Sequence, residues 1–418
     1  MNTTGRFTKQ SPRGRRNSTL RFIQAQALYK YWLQPPSIHP QPSKHILLSS
    51  PLCHTISLGS SLFFSLLSQM APDPVKAGYW LVFPWSSCKS SLTDHGNKNL
   101  ISDSCPYTHF LLAFADVDPT SYEVIIPGLG EKEIDNFSKK VKEKNTSIKL
   151  LLSIGGSPAT LASMARSRHS RQTFIESSIK RAREWPFDGL DLYWQSPATE
   201  ADMNNLGTLL EEWQDSLESE AKSSGRTKLL LTAAVFSSTN QLHYPALTMQ
   251  EKLDWVNVMA MDFTEPFHEG QATGAPAALY NPNDPTCCGN GLVHKLISDG
   301  LDWEKMVLGL PFFGYAWKLT DPARNGLGDN AIGPYIDHPF WIYSQIKKYL
   351  EEHRDAVHKF NEEVVTDYFY RGTLWVGYDG LDSIKEKVSY IIRRGLLGYV
   401  AWRIDFDSPD WELARAGN

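Results

Sequence analysis

The run Phe187-Asp-Gly-Leu-Asp-Leu-Tyr-Trp-Gln-Ser-Pro197 gathers the residues most able to do chemistry. Asp188 and Asp191 bring carboxylates, Tyr193 a phenol and Gln195 a carboxamide. Carboxyl groups in a cleft supply general acid–base catalysis, while phenols and amides orient a polar substrate by hydrogen bonds. If the run is a strand, alternate side chains share a face, so Asp191, Tyr193 and Gln195 point one way. Leu190, Leu192 and Trp194 then point the other way, and Gln195 lies nearest the C-terminal end. A polar row among apolar residues is costly unless it is hydrogen-bonded or functional. A satisfied structural network is therefore the competing reading.

The flanking chain carries the pattern needed to position such a row. From Val75 onward, short apolar runs alternate with amphipathic segments. Strands are expected at Lys76–Phe83, His109–Ala115, Lys149–Ile154, Gly189–Trp194, Lys228–Val235, Trp255–Met261, Met306–Phe312 and Gly398–Arg403. Helices are expected between them: Ile134, Phe137 and Val141 recur at helical spacing, as do Leu206, Leu209, Leu210, Trp213 and Leu217. Eight strands alternating with helices predict an α/β fold, a closed (β/α)8 TIM barrel, with an open doubly wound sheet as the alternative. Between the seventh strand and its helix the chain is too long for a simple connection. Residues 316–377 are expected to form a small α+β insertion on the barrel's C-terminal face, where it would wall a groove.

Composition narrows the function classes. The chain has 418 residues and a net charge of −4, but residues 1–69 hold eight Lys or Arg and no acid. The remainder carries 34 basic against 46 acidic residues, about −12, which argues against nucleic acid as a partner. No zinc spacing, phosphate loop or dinucleotide fingerprint is present, so neither a metal nor a cofactor is expected. The apolar stretch Ile46–Leu67 is interrupted by Pro51, His54 and serines and makes a poor membrane span. Residues 1–72 are read as a disordered targeting or leader segment, with Met70 an attractive start, and 73–418 as the barrel domain. Cys88 and Cys105 flank a polar loop and are either a disulfide or two thiols, whereas the adjacent Cys287 and Cys288 show no metal pattern. Asn136-Phe-Ser and Asn145-Thr-Ser are candidate glycosylation acceptors.

Taken with other motifs, the central run resembles the Asp-x-x-Asp-x-Asp-x-Glu signature of glycoside hydrolase family 18, and most resembles the plant class V chitinases. The resemblance extends from Val75 to Trp411. It includes Gly78-Tyr-Trp, Thr108-His-Phe-Leu-Leu-Ala-Phe-Ala-Asp116, Lys149-Leu-Leu-Leu-Ser-Ile-Gly-Gly156 and Val258-Met-Ala-Met-Asp262. It continues through Leu308-Gly-Leu-Pro-Phe-Phe-Gly-Tyr-Ala-Trp317, Trp375-Val-Gly-Tyr-Asp379 and Gly398-Tyr-Val-Ala-Trp402. Hydrolysis in that family is substrate-assisted: the sugar's N-acetyl oxygen attacks the anomeric carbon while the final Glu protonates the leaving oxygen. The preceding Asp orients the acetamido group, and a Tyr from the sixth strand hydrogen-bonds its carbonyl.

The resemblance implies that this chain departs from the pattern at all three positions. Gln195 stands where the acid is expected, Tyr193 where the Asp is expected and Met261 where the Tyr is expected. Asp188, Asp191 and Asp262 remain, and Glu265 is the nearby carboxylate to test as a substitute acid. Aromatic residues at strand ends, namely Trp80, Phe114, Phe263, Trp317 and Trp402, are candidate platforms for sugar rings, with core packing as the competing role. The residue matching Trp402 forms the floor beneath the central sugar in the family. The expected function is binding of chitin-type oligosaccharides without cleavage, by a secreted or vacuolar monomer that is lectin-like or defence-related. The alternatives are an active hydrolase with an unusual acid, and a non-sugar inhibitor or storage protein.

Overall fold

The computed structural model describes residues 73–81, 105–127, 131–237, 242–267, 271–335 and 339–417. The expected leader segment and Cys88 lie outside the described residues. The expected apolar runs form strands β1 (Val75–Leu81), β2 (His109–Val117), β4 (Lys149–Ile154), β5 (Gly189–Leu192), β6 (Leu230–Phe236), β7 (Trp255–Met259) and β8 (Met306–Pro311). A two-residue strand, β3 (Val124–Ile125), lies antiparallel against the end of β2. After an insertion comes β15 (Gly398–Trp402). β1 pairs in parallel with both β2 and β15, which closes an eight-stranded parallel (β/α)8 TIM barrel. Closure demands close backbone approach at Gly398, where a Cβ would sit 1.8 Å from the Val75 carbonyl oxygen.

Strand alternation divides the core into two shells. Leu150, Leu152, Leu190, Leu192 and Trp194 pack outward against a shell that includes Leu206, Leu209 and Trp213. Ala77, Tyr79, Leu111, Leu151, Trp255, Met259, Val307 and Val400 line the barrel interior. Each fully buried leucine stabilises the fold by about 1.5–3 kcal/mol. The helix Glu200–Ser224 supplies much of the outer shell and starts on a capping box: Thr199 Oγ1 accepts from Asp202 N and the Asp202 carboxylate accepts from Thr199 N. It ends at Gly225, whose φ of 67° is the left-handed cap that glycine takes without strain.

The insertion is a separate antiparallel sheet made from β9 (Phe313–Leu319), β10 (Ala331–Pro334), β11 (Phe340–Ile342), β12 (Val357–Asn361), β13 (Thr366–Arg371) and β14 (Leu374–Tyr378), with the helix Tyr343–Glu352. The sheet thus begins three residues before Ala316, because β9 resumes one residue after β8 ends. Phe313, Tyr315, Trp317 and Leu319 from alternate positions of β9 pack into the same apolar cluster as the barrel interior. The sheet is held down by the buried pair Lys387–Asp379, with Lys387 Nζ also donating to the Ala277 carbonyl at 2.5 Å. Burial pushes the Asp379 carboxyl up to about 6 against the opposing pull of Lys387. No disulfide joins the described cysteines Cys105, Cys287 and Cys288. Cys288 has a structural role, since its Sγ accepts from Gly291 N at 3.4 Å and caps the helix Gly289–Ser298.

Candidate functional site

Asp191 projects from β5 into the barrel interior and is fully buried. Its Oδ2 accepts hydrogen bonds from Tyr79 Oη at 3.0 Å and Ser153 Oγ at 2.6 Å. Its Oδ1 accepts from Thr232 Oγ1 at 2.6 Å and Asn257 Nδ2 at 3.0 Å. Asn257 is itself oriented by Trp255 Nε1, which donates to its Oδ1 at 2.9 Å. Four donors occupy the four lone-pair directions of the carboxylate, leaving none for a substrate proton. Burial raises the Asp191 pKa and these hydrogen bonds oppose the rise. At Asp191, then, the polar row is a satisfied network.

Asp188 belongs to the other end of the strand. Its Oδ2 accepts from Leu150 N at 2.8 Å and pairs with Lys142 Nζ at 2.5 Å, tying β4 to the helix Glu131–Lys144. It stands seven positions before Gln195, roughly 23 Å along an extended chain, so it takes no part at the mouth.

Beyond β5 the chain continues extended, with Tyr193 N donating to the Ile154 carbonyl at 2.8 Å. The Tyr193 ring enters a cluster of aromatic side chains. It lies 5.3 Å from Trp402 and 17° from parallel, 4.5 Å from Phe114, 5.0 Å from Phe236 and 5.5 Å from Tyr79. Its hydroxyl has no hydrogen-bond partner among the described residues. Burial, then the carboxylates of Asp262 and Asp191, raise its pKa well above the ordinary phenol value, so it remains a neutral donor. Gln195 is exposed, and its side-chain amide likewise has no partner among the described residues. Ser196, at φ 60°, then turns the chain toward the cap of the helix Glu200–Ser224.

Met261 is buried in the same cluster as Tyr193 and Trp402 and offers no hydrogen-bond donor. Asp262 follows in the left-handed region at φ 63°, which Asp tolerates better than most residues. Its Oδ1 accepts from Tyr315 Oη at 2.9 Å, and Glu265 Oε1 lies 3.4 Å from the same hydroxyl. Burial, followed by those two carboxylates, keeps Tyr315 protonated by raising its pKa.

The structure brings together Phe114, Tyr193, Met261 and Trp402, while Gln195 and Asp262 follow three residues after the ends of β5 and β7. Three expected platforms are placed elsewhere. Trp80 is buried on the outer face of β1 against Phe110 and Phe137. Phe263 packs with the outer shell, and its backbone N donates to the Pro276 carbonyl. Trp317 is fully buried, edge-on to Trp375 at 5.3 Å, and supports Tyr315 from below. Strand parity already held the first correction: if Gly78 and Trp80 face outward, Tyr79 must face the axis, and it does. Phe114 breaks parity because the β2–β4 register shifts between Leu112 and Ala115, an irregularity that re-aims a side chain. Phe236 and Tyr315 do follow parity, since Phe236 shares its face of β6 with Thr232 and Tyr315 shares its face of β9 with Phe313 and Trp317.

The molecule is thus a closed parallel barrel with an α+β insertion, in which the run Asp191-Leu-Tyr-Trp-Gln195 begins on β5 and continues past its C-terminal end. Residues 78–407 match the family model described as glycosyl hydrolases family 18. The chain belongs to that family. It is 40% identical over 377 residues to a class V chitinase of Arabidopsis thaliana, covering 89% of this chain and 96% of that protein. The crystal structure of a class V chitinase from Nicotiana tobaccum has a TM-score of 0.76 at 38% identity, covering 82% of this chain and 98% of that one. A glutamate-to-glutamine mutant of the tobacco protein was solved in complex with NAG4. The chitinase-like agglutinin RobpsCRA from Robinia pseudoacacia has a TM-score of 0.72 at 35% identity, with the same coverages of 82% and 98%. Among the described residues of this family 18 chain, no helix is long and apolar enough to cross a membrane.

Proposed function

We propose that this family 18 barrel binds N-acetylglucosamine oligomers at its mouth and does not cleave them. The observation that carries the reading is Gln195, an exposed carboxamide at the position where the resemblance calls for the acid. A carboxamide has no proton to give at physiological pH, and general-acid catalysis is worth about 10²–10⁴-fold. Two further positions support the reading. Tyr193 places a neutral phenol where a negative charge would stabilise the developing cation, and Met261 offers the acetamido carbonyl nothing. Asp191 is committed to its four donors and is no substitute. The NAG4 complex of the tobacco mutant is a precedent for a glutamate-to-glutamine exchange alongside bound NAG4, and the Robinia protein is a precedent for a chitinase-like protein that is an agglutinin. The role that follows is lectin-like or defence-related, in a secreted or vacuolar monomer.

Isothermal titration with chitin tetramer, run beside a fluorogenic chito-oligosaccharide assay, tests both halves. Binding heat with no turnover is expected. No heat at millimolar ligand with folded protein would overturn the binding half, and turnover would overturn the other. Glu265 is the acid to examine in that event, because it shares the Tyr315 hydroxyl with Asp262. Turnover abolished by Glu265→Gln but retained in Gln195→Ala would establish an unusual hydrolase. A second reading, an inhibitor or storage protein, draws on the Tyr193 ring lying over Trp402. A pull-down recovering a glycosidase regardless of added oligosaccharide would favour it.

A further inference from the structure

Tyr193 follows directly on the C-terminal end of β5, among the aromatic side chains there. Its ring is stacked on Trp402 at 17° and held edgewise by Tyr79 at 77° and Phe236 at 82°, with Phe114 4.5 Å away. Below it lies Asp191, whose carboxylate ties four elements of the barrel together. The aromatic ring is therefore a fixed part of the wall, packed on several sides and unable to swing aside without breaking contacts on each.

Consider a pyranose laid across these rings. Its ring carbons have C–H faces that pack on aromatic surfaces, and its hydroxyls need hydrogen-bond partners. The polar groups of this run that can meet those hydroxyls are the half-buried Tyr193 hydroxyl and the exposed Gln195 amide, neither with a protein partner among the described residues. An acetamido arm asks for more: a cavity for its methyl group, a donor for its carbonyl and an acceptor for its N–H. Toward the barrel axis the arm would meet the Tyr193 ring and the Met261 thioether, which supply neither cavity nor donor. Discrimination by a polar substituent requires buried polar groups that are left unpaired when the substituent is missing. The Asp191 network is already satisfied internally, and the Tyr193 hydroxyl can meet a sugar hydroxyl as readily as an acetamido group.

We infer that Tyr193 is a specificity-determining plug, and that the mouth binds β-linked pyranose oligomers with little regard to the acetamido group at C2. The ligand class is thereby widened from chitin oligomers to their deacetylated and 2-hydroxy counterparts. The inference rests on the sugar-binding reading given above, but it fails separately from it.

The test is titration of the full chain with the tetramers of N-acetylglucosamine, glucosamine and glucose, at an ionic strength high enough to screen the acidic surface. Wild type is expected to bind all three within about threefold of one another, whereas Tyr193→Ala, which vacates the axis, is expected to favour the N-acetylated tetramer by about tenfold or more. Tyr193→Phe keeps the ring, so it should stay unselective even if Tyr193→Ala fails to fold. Binding of none of the three by wild type would remove the sugar-binding reading itself. Wild-type preference of tenfold or more for the N-acetylated tetramer would overturn the plug alone, as would a selective Tyr193→Phe.

Discussion

The ring of Tyr193 lies 5.3 Å from that of Trp402 and nearly parallel to it, so the two side chains form one aromatic stack at the end of the barrel. Placing a carboxyl group at position 195 leaves this arrangement untouched. Gln195→Glu alone is therefore expected to give no turnover of a fluorogenic chito-oligosaccharide, because Tyr193 and Met261 still deny the acetamido group its partners. A substantial gain of activity from that one change would refute the account of the site.

Trp402 and Trp317 should separate binding from stability. Trp402 is partly exposed at the mouth, and Trp402→Ala is expected to weaken oligosaccharide binding by about tenfold. Trp317 is buried under Tyr315, so Trp317→Ala should cost about 3–5 kcal/mol in denaturant unfolding while the folded fraction binds nearly as before. Equal effects of the two changes on binding would contradict the placement of Trp317.

The two aspartates of the central strand should differ in the same measurement. Asp191→Ala strands four buried donors and is expected to destabilise by about 3–5 kcal/mol. Asp188→Ala removes a partly exposed pairing with Lys142 and one backbone hydrogen bond, for about 1–2 kcal/mol. Urea midpoints in the reverse order would show that Asp191 is not the hub of the barrel interior.

His109 gives the fold an acid-sensitive element. It packs edge-on to Trp255 at 4.9 Å, and burial lowers its pKa from 6.5 to about 4. The folded state thus holds it neutral where the unfolded chain is protonated. The stabilisation is complete above pH 6.5 and is lost as pH falls toward about 4, with an upper bound of roughly 3 kcal/mol. Asp379 and Asp407, both pushed up to about 6 by burial, act with the opposite sign: their contribution is lost as pH rises from 3.8 through 6. Comparing wild type with His109→Phe cancels those carboxylates. The stability difference should shift in the variant's favour between pH 6.5 and 4, and a difference independent of pH would rule out a neutral buried His109.

Much of this was legible beforehand because it depends on local periodicity. Eight apolar runs spaced by helical patterns specify parallel strands, and alternation within Gly189–Leu192 assigns Asp191 and its successors to the axis. The identities of Gln195, Tyr193 and Met261, on which the non-cleaving proposal rests, are facts of the sequence and needed no coordinates. Periodicity also carried the Trp80 correction within it, since parity opposes Trp80 to Tyr79.

What the tertiary structure alone decided is which side chains meet. Tyr193 and Trp402 extend from β5 and β15, strands that are not neighbours in the sheet. Their stacking exists only because the sheet closes and points both strand ends at one axis. Likewise the donors of Asp191 come from β1, β4, β6 and β7, and Phe114 turns inward through an irregularity in strand register. Local sequence sets the direction of each side chain along its own strand. Barrel closure sets the distances between them, and those distances make Asp191 a structural hub and Tyr193 a plug.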